Sequence, residues 1–135
     1  MTALDTSVSI PALVSWHEAH DQTRLRAAGA HIPAHGLAET YSVLTRLPSP
    51  HRLDAAIAAP LVRGWFPSDR ILATPAALQR RLVELLAASG LEGGATYDGL
   101  VGLTARHHGH VLLTRDRRAA TTYEALDVKF ELLTA

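Results

Sequence analysis

At 135 residues the chain is long enough for one domain with a real core and too short for two ordinary ones. Thirteen basic residues balance thirteen acidic ones, which argues against a broad nucleic-acid-binding surface, and 47% hydrophobic against 19% charged content excludes a disordered chain. The lack of cysteine excludes disulfides, zinc thiolate sites and cysteine nucleophiles together. The opening MTALDTSV has neither a basic leader nor a long apolar run, and no apolar stretch could span a bilayer. A single cytoplasmic domain over residues 1–135, with no membrane contact, is expected.

The apolar opening Met1 to Leu4 predicts a strand. Ser9 and Pro11 offer an N-cap and an early proline for a helix through Trp16. A second helical stretch, Glu18 to Ala28, closes at Gly29, and Ala30 to Ile32 reads as the next strand. Pro33 then leads into a helix with Leu37, Tyr41, Leu44 and Leu47 at helical spacing, ended by Pro48 and Pro50. Arg52 to Trp65 reads as helix interrupted at Pro60, and Arg70 to Ala73 as a short strand.

Thr74 and Pro75 form an N-cap and N1 pair for a helix striped by Leu78, Leu82, Leu85 and Leu86 and closed by Gly90. Gly93 and Gly94 lead into a helix from about Thr96 to His108. Val111 to Thr114 is a continuously apolar run, the mark of a strand buried on both faces. A short helix around Ala119 to Ala125 precedes an alternating segment in which Val128, Phe130 and Leu132 flank Lys129 and Glu131, as a half-exposed edge strand would. Strands alternating with helices indicate an α/β fold, a parallel sheet between helical layers.

Four acids far apart in the sequence stand where such a fold brings them together. Asp5 and Asp116 follow strand-like segments, while Glu39 and Asp98 open helical segments. Strand exits and helix starts meet at the carboxyl edge of an open parallel sheet, where ligands bind. Carboxylates packed there either hold a proton with raised affinity or bind a cation, and hard oxygen ligands favour Mg²⁺ or Mn²⁺. Each acid alone has an ordinary account. Asp5 and Asp116 suit turns and caps, Asp98 a helix first turn, and Glu39 a solvated helix face. Asp98 differs in heading the stripe Val101, Gly102 and Ala105.

The segments around these acids are Leu4-Asp5-Thr6-Ser7, His35-Gly36-Leu37-Ala38-Glu39-Thr40-Tyr41 through Leu47-Pro48, Tyr97-Asp98-Gly99-Leu100, and Leu113-Thr114-Arg115-Asp116-Arg117-Arg118-Ala119. Taken in order they resemble the four acidic motifs of a PIN-domain ribonuclease, specifically a VapC-type toxin of a bacterial toxin–antitoxin pair, across essentially the whole chain. The resemblance implies a three-layer α/β/α sandwich with a central, mainly parallel sheet. It also implies Mg²⁺- or Mn²⁺-dependent endonucleolytic cleavage of RNA phosphodiester bonds and inhibition by a VapB-like antitoxin. Catalytic and metal-binding roles fall by this resemblance on Asp5, Glu39, Asp98 and Asp116, with Thr114 and Thr6 as polar supports. The chain departs from the pattern at Gly99, where many relatives have Ala, and at Arg118, where some have a further acid. The second departure leaves one fewer ligand for a second metal.

Twelve of the thirteen basic residues are Arg. Arg115, Arg117 and Arg118 beside Asp116 suit phosphate contacts, set against ordinary solvated charge at a helix start. His107-His108-Gly109-His110 lacks the spacing of a zinc site, because adjacent histidines on a helix diverge. Aromatics at 5% argue against a surface that stacks single-stranded RNA, so Trp16, Trp65 and Phe66 read as core or interface anchors and suggest a homodimer. Two rival readings remain. A phosphohydrolase or phosphoacceptor would want a lysine beside its aspartate, and the single lysine, Lys129, falls in the last strand. A catalytically inactive PIN-like RNA-binding module would not need all four acids.

Overall fold

The computed structural model describes residues 1–134. Five short strands, β1 (Thr2–Leu4), β2 (Ile32–Pro33), β3 (Ile71–Leu72), β4 (Val111–Thr114) and β5 (Phe130–Leu132), alternate with seven helices. These are α1 (Thr6–Leu13), α2 (His20–Ala27), α3 (Ala34–Arg46), α4 (Ala55–Trp65), α5 (Ala76–Ala88), α6 (Ala95–His107) and α7 (Arg117–Ala125). β1, β4 and β5 pair in parallel in that order, as do β2 and β3. A parallel bridge from Ala3 to His31 joins the two sheets, with Leu4 N donating to His31 O at 2.9 Å. The resulting order is β3-β2-β1-β4-β5.

Sequence periodicity explains the layers. Successive strand residues face opposite sides of a sheet. Leu4 and Leu113 therefore pack on one face with Val8, Leu44, Val62 and Phe66 of α1, α3 and the α4 end. Ala3 and Leu112 pack on the other with Leu82, Leu86, Val101 and Tyr123 of α5, α6 and α7. The expected three-layer sandwich is the observed one. Leu4, Leu112 and Leu113 are fully inaccessible to solvent. Each such side chain contributes roughly 1.5–3 kcal/mol relative to exposure.

β4 lies between β1 and β5 and its last three residues are buried, as its unbroken apolar run predicts. β5 is the outer strand and exposes Glu131 between two half-buried neighbours. Arg26 of α2 pairs with that Glu131. No helix among the described residues is long and apolar enough to cross a membrane.

Several boundaries differ from expectation. α1 begins at Thr6 rather than near Ser9, because Asp5 supplies the N-cap by accepting from Ser7 N, and it ends at Leu13. The Ser9 hydroxyl is instead paired with Thr40 Oγ1 at 2.7 Å, a buried link between α1 and α3. Pro11 and Pro60 both lie inside helices, so Pro60 does not interrupt α4. Trp16 stands 48% exposed beyond α1, stacked on His51, whereas Phe66 is buried.

From β1 the chain runs outward through β2 and β3, then returns to place β4 on the other side of β1. The strand order therefore reverses between β1 and β4. In open α/β sheets the crevice outside the carboxyl ends of the strands at such a reversal is where ligands bind.

Candidate metal-binding active site

Asp5 leaves the carboxyl end of β1 and Asp116 that of β4, so the two acids flank the reversal point. Asp5 has extended backbone and caps α1. Its Oδ1 accepts from Ser7 N at 3.0 Å and from the Ser7 hydroxyl, while Oδ2 accepts from Tyr123 Oη at 2.8 Å. Burial pushes its carboxyl up, against the opposing pull of these hydrogen bonds. Asp116 caps α7, accepting from Arg118 N at 2.9 Å, and its own N–H donates to Thr114 Oγ1 at 3.1 Å.

Glu39 comes from α3, in the second turn rather than at the helix start. α3 can approach the end of β1 because Gly36 carries no side chain. A Cβ there would stand 3.3 Å from Ile32 Cγ1 and 3.8 Å from Leu4 O. Thr6 Oγ1 donates to Glu39 Oε1 at 2.6 Å, and His35 Nε2 lies 3.5 Å from Glu39 Oε2. Of the expected stripe on α3, Leu44 is buried, Leu37 partly so, and Tyr41 is exposed. Thr40 takes the buried place.

Asp98 lies in the first turn of α6, the helix that contacts α3, α7, β2 and β4. The stripe it heads, Val101, Gly102 and Ala105, is buried. Burial comes first, and then the negative charges of Asp116, Asp5 and Glu39, in pushing the Asp98 carboxyl up to about 6. The four acids thus come from four elements into one electrostatic neighbourhood. Burial and then the charge of Asp5 likewise push the Tyr123 phenol up, keeping it a donor at all ordinary pH.

Ser7 is the hub of the polar shell. Its hydroxyl serves Asp5, accepts from Arg115 N at 2.7 Å and lies 3.3 Å from Thr114 Oγ1. Thr6 and Thr114 stand beside acids as expected, whereas Ser7 and Tyr123 as supports of Asp5 were not anticipated. Tyr123 had a legible signal, for it shares the helical stripe of Asp116, Ala119 and Ala120 at spacings of seven, four and three.

Does this donor set suit a divalent cation? All four groups are hard oxygen donors, and burial followed by the charge of the other three already makes ionisation of Asp98 costlier than usual. A cation of higher charge relieves the same repulsion. Among the described residues, however, no three His, Asp or Glu side chains close around one point as a metal's ligands do. Three of the four carboxylates are committed to neighbours: Asp5 to Ser7 and Tyr123, Glu39 to Thr6, and Asp116 to the α7 backbone. The fit is one of charge and donor chemistry.

The histidine run lies elsewhere. His108 Nε2 donates to Ala73 O at 2.8 Å, and His110 is buried against His31 with ring centroids 4.4 Å apart. Lys129 precedes β5 and lines a pocket with Arg106, His110 and Asp127, at the amino end of the sheet. It is remote from the acids, so the phosphoacceptor reading lacks its lysine.

Residues 2–125 match the PIN domain family model. Over 135 residues, 99% of this chain and 100% of the relative, the sequence is 48% identical to Ribonuclease VapC40 of Mycobacterium tuberculosis strain H37Rv. Among solved structures it is similar to Mycobacterium tuberculosis VapC20, described as a Sarcin-Ricin loop cleaving toxin, with a TM-score of 0.69, 20% identity, and coverage of 90% of this chain and 94% of that one. It is also similar to VapBC2 from Rickettsia felis bound to a DNA fragment from their promoter, with a TM-score of 0.68, 16% identity and 98% coverage of each chain. At these identities the two structures speak to the fold, and the VapC40 relative to the family. The chain belongs to the PIN-domain family, among its VapC-type ribonucleases.

Proposed function

We propose that this protein is the RNA-cleaving toxin of a toxin–antitoxin pair, one PIN unit that uses Mg²⁺ or Mn²⁺ held by Asp5, Glu39, Asp98 and Asp116. The observation that carries the site assignment is the placement of four acids from four elements about the β1–β4 reversal, where burial and then Asp116, Asp5 and Glu39 push the Asp98 carboxyl up. A structural helix-start acid would not feel three other acids from three other elements. VapC40 and VapC20 support RNA as the substrate, being named respectively a ribonuclease and a loop-cleaving toxin.

When bound, the metal lowers the pKa of a water and neutralises charge on the phosphate oxygens. The chain's residues supply the frame. Tyr123 and Ser7 hold Asp5 in a buried position, Thr6 holds Glu39, and Thr114 and the α7 N-terminus hold Asp116. Asp98 alone among the four accepts no hydrogen bond within the described residues, and burial together with its acidic neighbours pushes its carboxyl up to about 6.

A VapB-like antitoxin is the proposed partner, supported by the likeness to the VapBC2 assembly. An apolar groove of about 640 Å³ between α3 and α4, lined by Leu37, Tyr41, Val62, Phe66 and Ile71, suits an apolar segment of such a protein. The half-exposed Trp16 supports a homodimer. The test is cleavage of RNA by purified protein. Activity with Mg²⁺ or Mn²⁺, its loss on chelation and its loss in Asp98→Asn are expected; undiminished cleavage by Asp98→Asn would remove Asp98 from the site.

A further inference from the structure

Tyr97 is the first residue to ask about outside the acid cluster, because its placement serves neither core. It immediately precedes Asp98 on α6, and the residue is 56% exposed. Its hydroxyl has no protein partner among the described residues. One face of the ring is backed by His35, with centroids 5.3 Å apart and planes only 10° from parallel. His35 in turn lies beside Glu39. The two rings line an open cleft of about 430 Å³ together with Ala38, Glu39, Ser42 and Arg46. Arg46 Nε donates to Ser42 Oγ at 3.3 Å, and its guanidinium has no acid partner among the described residues.

A flat, half-supported aromatic surface beside a phosphodiester-cleaving site, with a guanidinium free of any acid partner among the described residues at its rim, matches the chemistry of an unpaired nucleotide. Bases stack on aromatic faces whatever their identity, and arginine meets phosphate or base edges. The low aromatic content of the chain argues against an extended stacking surface, yet a single ring suffices for one base. We infer that Tyr97, backed by His35, is the stacking platform for one nucleobase adjacent to the scissile phosphate, with Arg46 at the edge of that subsite. The inference rests on the ribonuclease reading and names part of its substrate contact.

The test starts from a pool of unstructured eight-nucleotide RNAs incubated with wild-type protein and Mn²⁺, from which one cleaved sequence is chosen. Each nucleotide flanking its cut is then made abasic in turn. Wild type should lose roughly tenfold in kcat/KM at one flanking position. Tyr97→Ala should lose about as much on the intact RNA and nothing further on that abasic RNA, since both changes remove one contact. Tyr97→Phe, which keeps the ring, should cleave like wild type. Additive losses would overturn the inference, as would unchanged cleavage by Tyr97→Ala. Unchanged cleavage with weakened antitoxin binding would assign the ring to a protein interface instead. Failure of wild type to cleave any member of the pool would remove the ribonuclease reading itself.

Discussion

The Tyr123 hydroxyl donates to Asp5 Oδ2 at 2.8 Å, joining the last helix to the exit of the first strand inside the protein. Tyr123 is fully buried and Asp5 nearly so, which makes this bond expensive to lose. Tyr123→Phe leaves a buried carboxylate oxygen short of a donor and should destabilise the fold by about 1–3 kcal/mol. Removing a donor to the charged form raises the Asp5 proton affinity further in the folded state. A raised carboxyl favours folding below its unfolded pKa and loses that contribution as pH rises, so the deficit should be larger at pH 8 than at pH 5. Urea unfolding at the two pH values reads both effects.

Asp98→Asn should reduce RNA cleavage by roughly 10²-fold or more, the scale of one preorganised electrostatic group. Its effect on stability has the opposite sign. The wild-type Asp98 carboxyl goes from its ordinary 3.8 to about 6 on folding, so the metal-free native state binds more protons than the unfolded chain between those values. Wild-type stability should fall as pH rises from about 4 through 6, and this decline should be smaller in the variant. Thermal melts without metal across that range, on both proteins, are the check.

Metal should offset the same repulsion. Free Mn²⁺ near 100 times its dissociation constant should stabilise the wild type by about 2.7 kcal/mol, by mass action on the folded state. Thr6→Val removes the half-buried donor to Glu39 Oε1. It should leave the metal-free melt nearly unchanged while weakening the Mn²⁺ response. Equal Mn²⁺ responses in both proteins would separate Glu39 from the metal.

Two glycines of α6 should respond differently to alanine. At Gly102 a Cβ would stand 2.9 Å from Tyr123 Cδ1 and 3.2 Å from Val128 Cγ2, against a ring that cannot bend away. Overpacking of about 1–3 kcal/mol outweighs the helix-propensity gain of about 1 kcal/mol, so Gly102→Ala should destabilise and also reduce activity through Tyr123 and Asp5. At Gly99 the nearest atoms are leucine methyls, Leu86 Cδ2 at 3.0 Å, Leu82 Cδ1 at 3.1 Å and Leu126 Cδ1 at 3.2 Å. These ends can turn, so Gly99→Ala should fall within about 1 kcal/mol of wild type. Parallel denaturant titrations distinguish the two sites.

The layers were legible because strand and helix periods differ. Val111 to Thr114 announces a strand buried on both faces, and Val128 to Leu132 an edge. Asp5 and Asp116 stand after strands and Asp98 in a helix first turn, as their positions suggest, whereas Glu39 lies a turn further into α3 than expected. What the sequence withheld was which polar group meets which. Ser9 and Asp5 are both good caps, and only the abrupt β1-to-α1 turn decides that Asp5 caps while Ser9 faces Thr40. Tyr97 and Tyr123 are one residue type with opposite fates, one exposed at a cleft and the other enclosed by α6. Local pattern does not carry that difference, because it depends on which helices meet across the sheet.

The central position of β1 has a consequence for synthesis. β1 is made long before its partner strand, for Thr2 pairs with Val111 and Leu4 with Leu113. Everything between β1 and β4 must leave the ribosome before that pairing forms, and the long loop it closes makes such contacts slow. Asp5 and Asp116 are brought together by the same late step. A nascent or truncated chain that ends before β4 therefore lacks the pairing that sets Asp5 beside Asp116, and with it the frame on which the acid cluster is built.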